Sequence, residues 1–272
     1  MTDKLTIAAA YDAGVEEEYS RLTETPLREA EYALISELLT EYISAGSTVI
    51  DIGAGPGRYA ELLLSHNCKV GVIDLSERSL NVFHKRINGD YGTNLLFSRN
   101  ACATELEWVE DGFADAVLLM GPLYHLTTDP ERKKAIEHAY RILKPGGVIF
   151  AIFLSPYPKL NPLMESNEEI LFDNDFIHSI QHNGITEVSF QGYRIEQYRC
   201  WPSTAKAMME NQGFNTKRMR NIEGIGTFFT SAKINGFNTK QKAEMLLNNL
   251  RNTCENPNLL GITSQYLYLG QK

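Results

Sequence analysis

Residues 49–61 decide the fold, and they read VIDIGAGPGRYAE. A β-branched run, a glycine-rich elbow and a helix-forming stretch predict a strand over 48–52, a sharp turn and a helix over 58–66. The alternate glycines let the backbone turn and leave room for a ligand where a Cβ would collide. The first N–H groups of the helix point at whatever lies over the elbow. Because Asp51 adds a negative charge beside it, we expect a ligand that carries an ammonium group.

The glycine spacing distinguishes several kinds of nucleotide site. The elbow has the pattern G-x-G-x-G over residues 53–57. A dinucleotide-binding fold has G-x-G-x-x-G, whose third glycine would fall at Arg58, and a Walker loop ends in Gly-Lys before Ser or Thr. The strand, elbow and helix together with Asp51 resemble motif I of the class I S-adenosylmethionine-dependent methyltransferases. The alternative is a purely structural glycine turn.

The composition is that of a globular chain with one large domain, or one domain with a cap. The 272 residues are 43% hydrophobic and 22% charged, and the net charge of −8 argues against a nucleic-acid backbone as the main partner. The start of the chain has no signal-peptide pattern, and apolar runs such as 148–154 are too short to span a bilayer. Cys68, Cys102, Cys200 and Cys254 form no C-x-x-C pair. We therefore expect a cytoplasmic protein without disulfides, a zinc site or a membrane partner.

Strands and helices alternate along the first part of the chain, which predicts an α/β fold with a parallel sheet. The further predicted strands of this part are 69–74, 94–98, 115–120 and 148–154. The predicted helices begin at Pro26 after the cap Thr25, after the cap Ser76, and at Asp129-Pro130, which we predict to cap a helix to about residue 143. After residue 155 we predict a helix over 164–183, a hairpin over 185–200 that turns near Gln191-Gly192, a helix over 203–212, and strands over 216–223 and 265–270.

Several motifs arrive in the order and at the spacings of the class I family. They are motif I, Asp74 at the end of the second strand, Asn100-Ala101 after the third, GPLYHL over 121–126 and RILKPGG over 141–147. The resemblance covers residues 30–155 and is greatest to the bacterial ubiquinone/menaquinone C-methyltransferase-like small-molecule group. It implies a Rossmann-like, seven-stranded, mostly parallel sheet with helices on both faces. It also implies S-adenosyl-L-methionine across the carboxyl edges of the strands, with S-adenosyl-L-homocysteine as the product.

The resemblance and the positions of the motifs give a set of candidate cofactor-binding residues. Asp74 would accept the ribose hydroxyls, although a strand-end Asp is also common as a solvated or capping residue. Asn100 stands where the family has an acid that contacts adenine, and an amide can still pair there. Arg21 could hold the methionine carboxylate bidentately; the alternative is an exposed arginine. The full set is Tyr19, Arg21, Asp51, Gly53, Ala54, Gly55, Gly57, Arg58, Tyr59, Asp74, Leu75, Asn100, Ala101 and Met120.

Tyr124 and His125 are the candidate catalytic residues. A neutral imidazole could take a proton from a hydroxyl, thiol or carbon acid; the alternative is a structural histidine. The rings of Tyr11, Tyr19 or Tyr124 could contact the sulfonium. Gly121 stands where amide and nucleobase N-methyltransferases carry the Asn or Asp that holds the amino group, which argues against those acceptors.

The histidines of the chain predict no metal site. His178 and His182 lie four residues apart, with Asp175 nearby. This spacing lacks the Glu of zincins and a full ligand set.

We therefore predict a methyltransferase that moves a methyl group to a small molecule by in-line displacement within an enclosed pocket. The alternatives are a tRNA or protein methyltransferase and a non-catalytic cofactor-binding protein. Residues 1–45 would form an N-terminal cap and first helix, 46–154 the cofactor-binding core, and 155–200 an inserted lid. Residues 201–272 would complete the sheet, with a helical insertion over 225–262. We expect a small-molecule substrate, no nucleic-acid partner, and a monomer or homodimer; the acceptor atom stays open.

Overall fold

The computed structural model describes residues 3–89, 92–156, 183–224, 226 and 240–272, and the single positions 174 and 178. The described strands are β1 (Thr48–Ile52), β2 (Lys69–Asp74), β3 (Leu95–Asn100), β4 (Ala114–Leu119), β5 (Leu143–Leu154), β6 (Ile185–Phe190), β7 (Tyr193–Tyr198), β8 (Asn215–Asn221) and β9 (Gln265–Gln271). Seven of them form one sheet in the order β3-β2-β1-β4-β5-β9-β8. The first five are parallel, and β9 runs antiparallel to β5 and β8. The predicted Rossmann-like, mostly parallel sheet is confirmed.

Helices cover both faces of this sheet. They are α1 (Lys4–Ala13), α2 (Val15–Ser20), α3 (Pro26–Tyr42), α4 (Arg58–Ser65), α5 (Glu77–Ile87), α6 (Asp129–Ile142), α7 (Pro202–Asn211) and α8 (Lys240–Thr253). Apolar residues of α3, α4 and α5 are buried against one face, and those of α6 and α7 against the other. Because both faces are covered, the strand ends are the free edges at which a site can form.

Local capping explains where several helices begin. Thr25 and Ser76 cap α3 and α5, as predicted, and each side-chain oxygen accepts the N–H three residues on. For α6 the predicted cap at Asp129 was wrong, because Thr128 is the residue with extended backbone. Thr128 forms a reciprocal capping box with Glu131, so Asp129 is already helical.

Several strand bounds differ from the predictions, and two of these differences affect a predicted motif. β3 continues through Asn100, because this residue pairs with Asp74 on the neighbouring strand. β5 already begins at Leu143, which pairs with Ala114 ahead of a register irregularity. The Lys-Pro-Gly-Gly turn therefore lies within β5 rather than before it.

The predicted hairpin forms a separate two-stranded sheet of β6 and β7. Its turn residues, Gln191 and Gly192, have φ of +51° and +78°, the left-handed backbone that two-residue hairpin loops favour. Arg199 ties the hairpin to β5, because its guanidinium donates to Ser155 O at 3.0 Å and to Thr186 Oγ1 at 2.9 Å.

Some predictions concern residues that are only partly described. The helix predicted over 164–183 lies outside the described residues except at positions 174 and 178, which are helical, and 183, which lies in a turn. Of the helical insertion predicted over 225–262, α8 is described. Residues 4–20, for which no element is predicted, form α1 and α2. Within the described ranges, every helix is too short or too polar to cross a membrane.

Candidate active site

A cavity opens at the carboxyl ends of β1, β2 and β4. Its empty space, together with adjoining space that is open to solvent, is about 1220 Å³. The elbow after β1 forms its floor, and residues of α1, α2 and α3 form part of its walls. Open α/β sheets bind ligands in such a crevice, outside the carboxyl ends of the strands.

The three glycines of the elbow serve different purposes. Gly53, Gly55 and Gly57 all have positive φ, which favours glycine. A Cβ on Gly53 would lie 2.5 Å from Pro122, and one on Gly57 would collide with the ring of Phe83. A Cβ on Gly55 would meet no atom within 4 Å, and Gly55 lines the cavity. The space above Gly55 is therefore open to a ligand.

The Asp74 carboxylate lies beside the elbow and is held by backbone donors. The Gly55 N–H donates to Oδ2 at 2.7 Å, and the Ser76 N–H donates to Oδ1 at 2.7 Å. Burial raises the pKa of Asp74 to about 6, against the opposing effect of these two hydrogen bonds. A carboxylate has about four lone-pair sites, so Asp74 keeps the capacity to accept further donors from the cavity.

Asp51 is the second carboxylate of the cavity, and it is more deeply buried. Its residue is 3% exposed, and no donor among the described residues bonds to its side chain. Burial, followed by the charge of Asp74, raises the pKa of Asp51 to about 7. Such a carboxyl is poised to ionise when a cationic group comes close.

Leu75 and Ala101 line the cavity next to Asp74, but Asn100 does not. The Asn100 Nδ2 donates to the carbonyls of Asp74 at 3.0 Å and Leu75 at 2.8 Å. Both amide hydrogens are therefore used to fix the backbone segment that connects β2 to α5. Asn100 is the last residue of β3 and does not line the cavity, and its contact with an adenine stays a prediction.

Tyr19 lies behind the wall of the cavity, where it supports Arg58. The guanidinium of Arg86 lies 3.4 Å from the centre of the Tyr19 ring and that of Arg58 lies 4.4 Å from it. Arg58 Nη1 also donates to Tyr19 Oη at 2.9 Å, and Tyr19 donates to Glu61 at 3.1 Å. Arg58 itself lines the cavity, together with Ala54, Tyr59 and Met120.

Arg21 faces the cavity and is held by acidic neighbours. Its Nε donates to Glu18 at 3.0 Å, and its Nη1 lies 3.8 Å from Glu31 Oε1. Glu31 is 1% exposed, lies 2.5 Å from Arg28 Nη1, and accepts from Gln265 Nε2 at 2.7 Å. Burial raises the pKa of Glu31, while Arg28 and Arg21 act against this rise.

Sequence reasoning missed Glu31 and Gln265, which both line the cavity. A signal for Glu31 was present, because it lies in the buried stripe of α3 with Leu27, Leu34 and Ile35. A carboxylate in such a stripe needs a partner or a function. Gln265 carried no comparable signal, since a polar residue at the start of a strand, here β9, is common.

Tyr124 and His125 lie in and after a short 3₁₀ turn that follows β4, and both line the cavity. Burial lowers the pKa of His125 to about 4 and raises that of Tyr124 to about 12. The imidazole is therefore neutral and the phenol protonated around pH 7. A base is most effective when its pKa is near the working pH, so His125 is a weak general base.

Of the residues considered and rejected as metal ligands, only His178 is described; His182 and Asp175 lie outside the described residues. Within the described ranges, no group of three His, Cys, Asp or Glu side chains could hold a metal ion.

Comparison with known proteins agrees with this architecture. A family model described as a methyltransferase domain matches residues 49–147. A tRNA (carboxymethyluridine(34)-5-O)-methyltransferase of Arabidopsis thaliana is 36% identical over 109 residues, which is 40% of this chain but 24% of that protein. A demethylmenaquinone methyltransferase of Clavibacter sepedonicus is 28% identical over 180 residues, 65% of this chain and 69% of that protein.

Solved structures share the fold. The 1,6-didemethyltoxoflavin-N1-methyltransferase of Burkholderia thailandensis, solved with 1,6-didemethyltoxoflavin and S-adenosylhomocysteine, aligns with a TM-score of 0.57 at 12% identity. The alignment covers 100% of this chain and 91% of that one. Together the family model, the relatives and the shared fold support the class I S-adenosylmethionine-dependent methyltransferase family. The chain is an enzyme of that class, and its methyl donor is S-adenosyl-L-methionine.

Proposed function

We propose that this methyltransferase acts on a small-molecule acceptor enclosed in the cavity. The observation that carries the proposal is the cover formed by α1 and α2, which we call the roof (residues 4–20). Asp12 Oδ1 accepts from Ser76 Oγ at 2.5 Å and from the Arg78 N–H at 3.3 Å, so the roof is tied to the start of α5. On its other side, Glu17 accepts a hydrogen bond from Gln191 at the tip of the hairpin. A site closed on both sides favours a small acceptor over a macromolecule.

The residues present fit S-adenosyl-L-methionine, and the open space above Gly55 is the observation that tests the fit.

In the proposed arrangement Asp74 accepts hydrogen bonds from the ribose hydroxyls, and Asp51 faces the ammonium group of the methionine part. Leu75 and Ala101 flank the adenine, and Arg21 holds the carboxylate. The other contacts come from Gly53, Ala54, Gly57, Arg58, Tyr59 and Met120. The bound cofactor supplies an electrophilic methyl group on a cationic sulfur.

The chain contributes alignment, the exclusion of water and a favourable electrostatic environment. Positioning alone can correspond to effective molarities of about 10⁵ M or more. The rings of Tyr11 and Tyr124 line the cavity, and contact with a cation could contribute about 1 kcal/mol. Water exclusion by the roof strengthens this attraction, because it lowers the local dielectric.

We place the acceptor at the end of the cavity away from Asp74. Apolar side chains of Leu22, Leu126 and Ile152 line the same cavity as Glu31 and Gln265. Ligand sites commonly combine apolar walls with a few fixed polar groups that set orientation. Since Arg28, Gln265 and Arg21 hold the Glu31 carboxylate in place, it is a suitable anchor for a donor group of the acceptor.

Two further properties remain proposals. We propose a cytoplasmic location, since Cys68, Cys102, Cys200 and Cys254 are free and buried, as expected in a reducing compartment. We propose a monomer or homodimer without a nucleic-acid partner, which the net charge of −8 supports. The Arabidopsis relative is named for a tRNA substrate, so tRNA is an outcome that the test must be able to reveal.

The test is transfer of methyl-labelled S-adenosylmethionine into a cell extract that is split into small-molecule, RNA and protein fractions. We expect the label in the small-molecule fraction, where mass spectrometry then identifies the product. Asp74→Asn should abolish the signal. Glu110→Gln, an exposed carboxylate far from the described site contacts, should retain it. Label in the RNA or protein fraction would refute the proposal.

A further inference from the structure

A tyrosine of the roof meets the candidate catalytic histidine inside the cavity. Tyr11 Oη lies 2.7 Å from His125 Nε2, and the two rings meet edge to face with their centres 5.3 Å apart. On its other side the Tyr11 ring packs against Phe190 of the hairpin, at 5.2 Å between centres. Tyr11 is therefore held between the end of β4 and the hairpin, and it lines the cavity.

The second nitrogen of His125 is closed off. Nδ1 is buried and has no hydrogen-bond partner among the described residues. It therefore reaches neither solvent nor the free space of the cavity. The imidazole can act on a bound molecule only from its Nε2 side, where Tyr11 stands.

The two partners form a neutral pair over the physiological pH range. Burial lowers the pKa of His125 to about 4 and raises that of Tyr11 well above 10. A neutral imidazole has one donor and one acceptor nitrogen, and a phenol hydroxyl is both donor and acceptor. A proton on Nδ1 would be a buried donor without a partner, so the tautomer with its proton on Nε2 is favoured. Nε2 then donates to the Tyr11 oxygen, and the Tyr11 hydroxyl can donate to another group.

We propose that Tyr11 is the group that touches the methyl acceptor and that His125 is a positioning residue which acts through it. The Tyr11 hydroxyl hydrogen-bonds to the oxygen or nitrogen that receives the methyl group and keeps a lone pair of that atom in line. This inference rests on the proposed function for the acceptor. Because Tyr11 belongs to α1, the proposed site is complete only when α1 is packed over the cavity.

The charged and polar groups around the pair agree with this role. Among the charged side chains, Glu18 and Asp74 raise the pKa of Tyr11, and Arg21 lowers it. All three line the same cavity. Tyr124 lies 4.6 Å from His125 between ring centres, and its hydroxyl also interacts with that of Tyr11. Among the described residues, no charged group hydrogen-bonds to the Tyr11 hydroxyl, so none competes with the acceptor for it.

A double-mutant cycle tests the proposal. Tyr11→Phe removes the hydroxyl and keeps the ring, and His125→Phe removes both nitrogens. We expect each variant to lose about tenfold or more in kcat, and the double variant to lose no more than the larger single loss. The affinity for S-adenosylhomocysteine, measured by calorimetry, should stay within about twofold of the wild type. Tyr193→Phe, in the hairpin and outside the cavity, is the matched control and should keep full activity.

A second measurement does not depend on the acceptor. In ¹⁵N-labelled protein, the His125 nitrogens should show one neutral tautomer from pH 5.5 to 8.5, and Tyr11→Phe should shift them towards a mixture. Unchanged nitrogen shifts in Tyr11→Phe, a kcat within about twofold of the wild type, or losses that multiply in the double variant would each overturn the proposal. If no acceptor is found, the proposed function fails, while the nitrogen shifts still decide whether Tyr11 controls His125.

Discussion

Replacing Asp51 with Asn should stabilise the empty enzyme and weaken its hold on the cofactor. The substitution keeps the shape of the side chain and removes its charge. Burial raises the pKa of Asp51 from 3.8 to about 7, so ionisation costs the folded protein at most about 4 kcal/mol more than the unfolded chain. The two effects have opposite signs because only the bound cofactor offers Asp51 a cationic partner.

The pH dependence follows from the raised pKa. Between about pH 4 and 7 the folded protein binds this proton and the unfolded chain does not, so the free energy of unfolding falls as the pH rises. Above about pH 7 the full cost is present. Asp51→Asn removes this dependence. The variant should match the wild type below pH 4 and gain up to about 4 kcal/mol above pH 7, roughly 8 °C in Tm.

For cofactor binding the order is reversed, and the wild type should bind more tightly than Asp51→Asn. A hydrogen bond to a charged group contributes about 1.5–3 kcal/mol, so Asp51→Asn should raise the Kd for S-adenosylhomocysteine at pH 8 by roughly 10- to 100-fold. The affinity of the wild type should increase as the pH rises through about 7, and that of the variant should lack this increase.

The assay is thermal unfolding from pH 4 to 9 with and without S-adenosylhomocysteine, together with calorimetric titration at pH 6 and 8. Glu110→Gln, which neutralises an exposed carboxylate, is the control and should follow the wild type. Parallel curves of Tm against pH for wild type and Asp51→Asn would refute the reasoning about burial. Equal affinities for S-adenosylhomocysteine at pH 8 would refute the assignment of Asp51 to the ammonium group.

Three other substitutions test the residues around the cavity, and Gly46→Ala serves as a control for one of them. Gly55→Ala and Gly46→Ala should each lower the free energy of unfolding by about 1 kcal/mol, because both residues have positive φ and open space around them. Only Gly55→Ala should weaken S-adenosylhomocysteine binding, by about tenfold or more. Gly57→Ala should destabilise the protein by about 2–4 kcal/mol in denaturant titration, because its Cβ would collide with the buried ring of Phe83; a loss under 1 kcal/mol would contradict this packing. Arg21→Ala should keep the fold by circular dichroism and raise the Kd for S-adenosylhomocysteine about tenfold, and an unchanged Kd would remove Arg21 from the site.

The strands and most helix bounds could be predicted because their signals are local. β-Branched runs, capping residues such as Thr25 and Ser76, and turn residues such as Gln191-Gly192 act within a few positions of themselves. The cap of α6 shows where this fails. Thr128 and Asp129 are both good caps, and their backbone conformation decides between them.

For the candidate site, the sequence by itself determined the floor. One strand–turn–helix pattern contains Asp51 and the elbow at 53–57, and the next strand along the chain ends in Asp74. The carboxyl ends of parallel strands lie at one edge of the sheet, so the sequence places these residues together. The same reasoning could not separate Ala101, which lines the cavity, from Asn100, which does not.

Only the tertiary structure decided what surrounds that floor. Glu31 and Gln265 are 234 positions apart, and Tyr11 and His125 are 114 apart, yet each pair is joined by a 2.7 Å hydrogen bond. Periodicity reports whether a position is buried in its own element, and it says nothing of which distant element buries it. That choice depends on how helices and strands pack together over the whole chain, so the walls and roof of the cavity emerge only when the fold is complete.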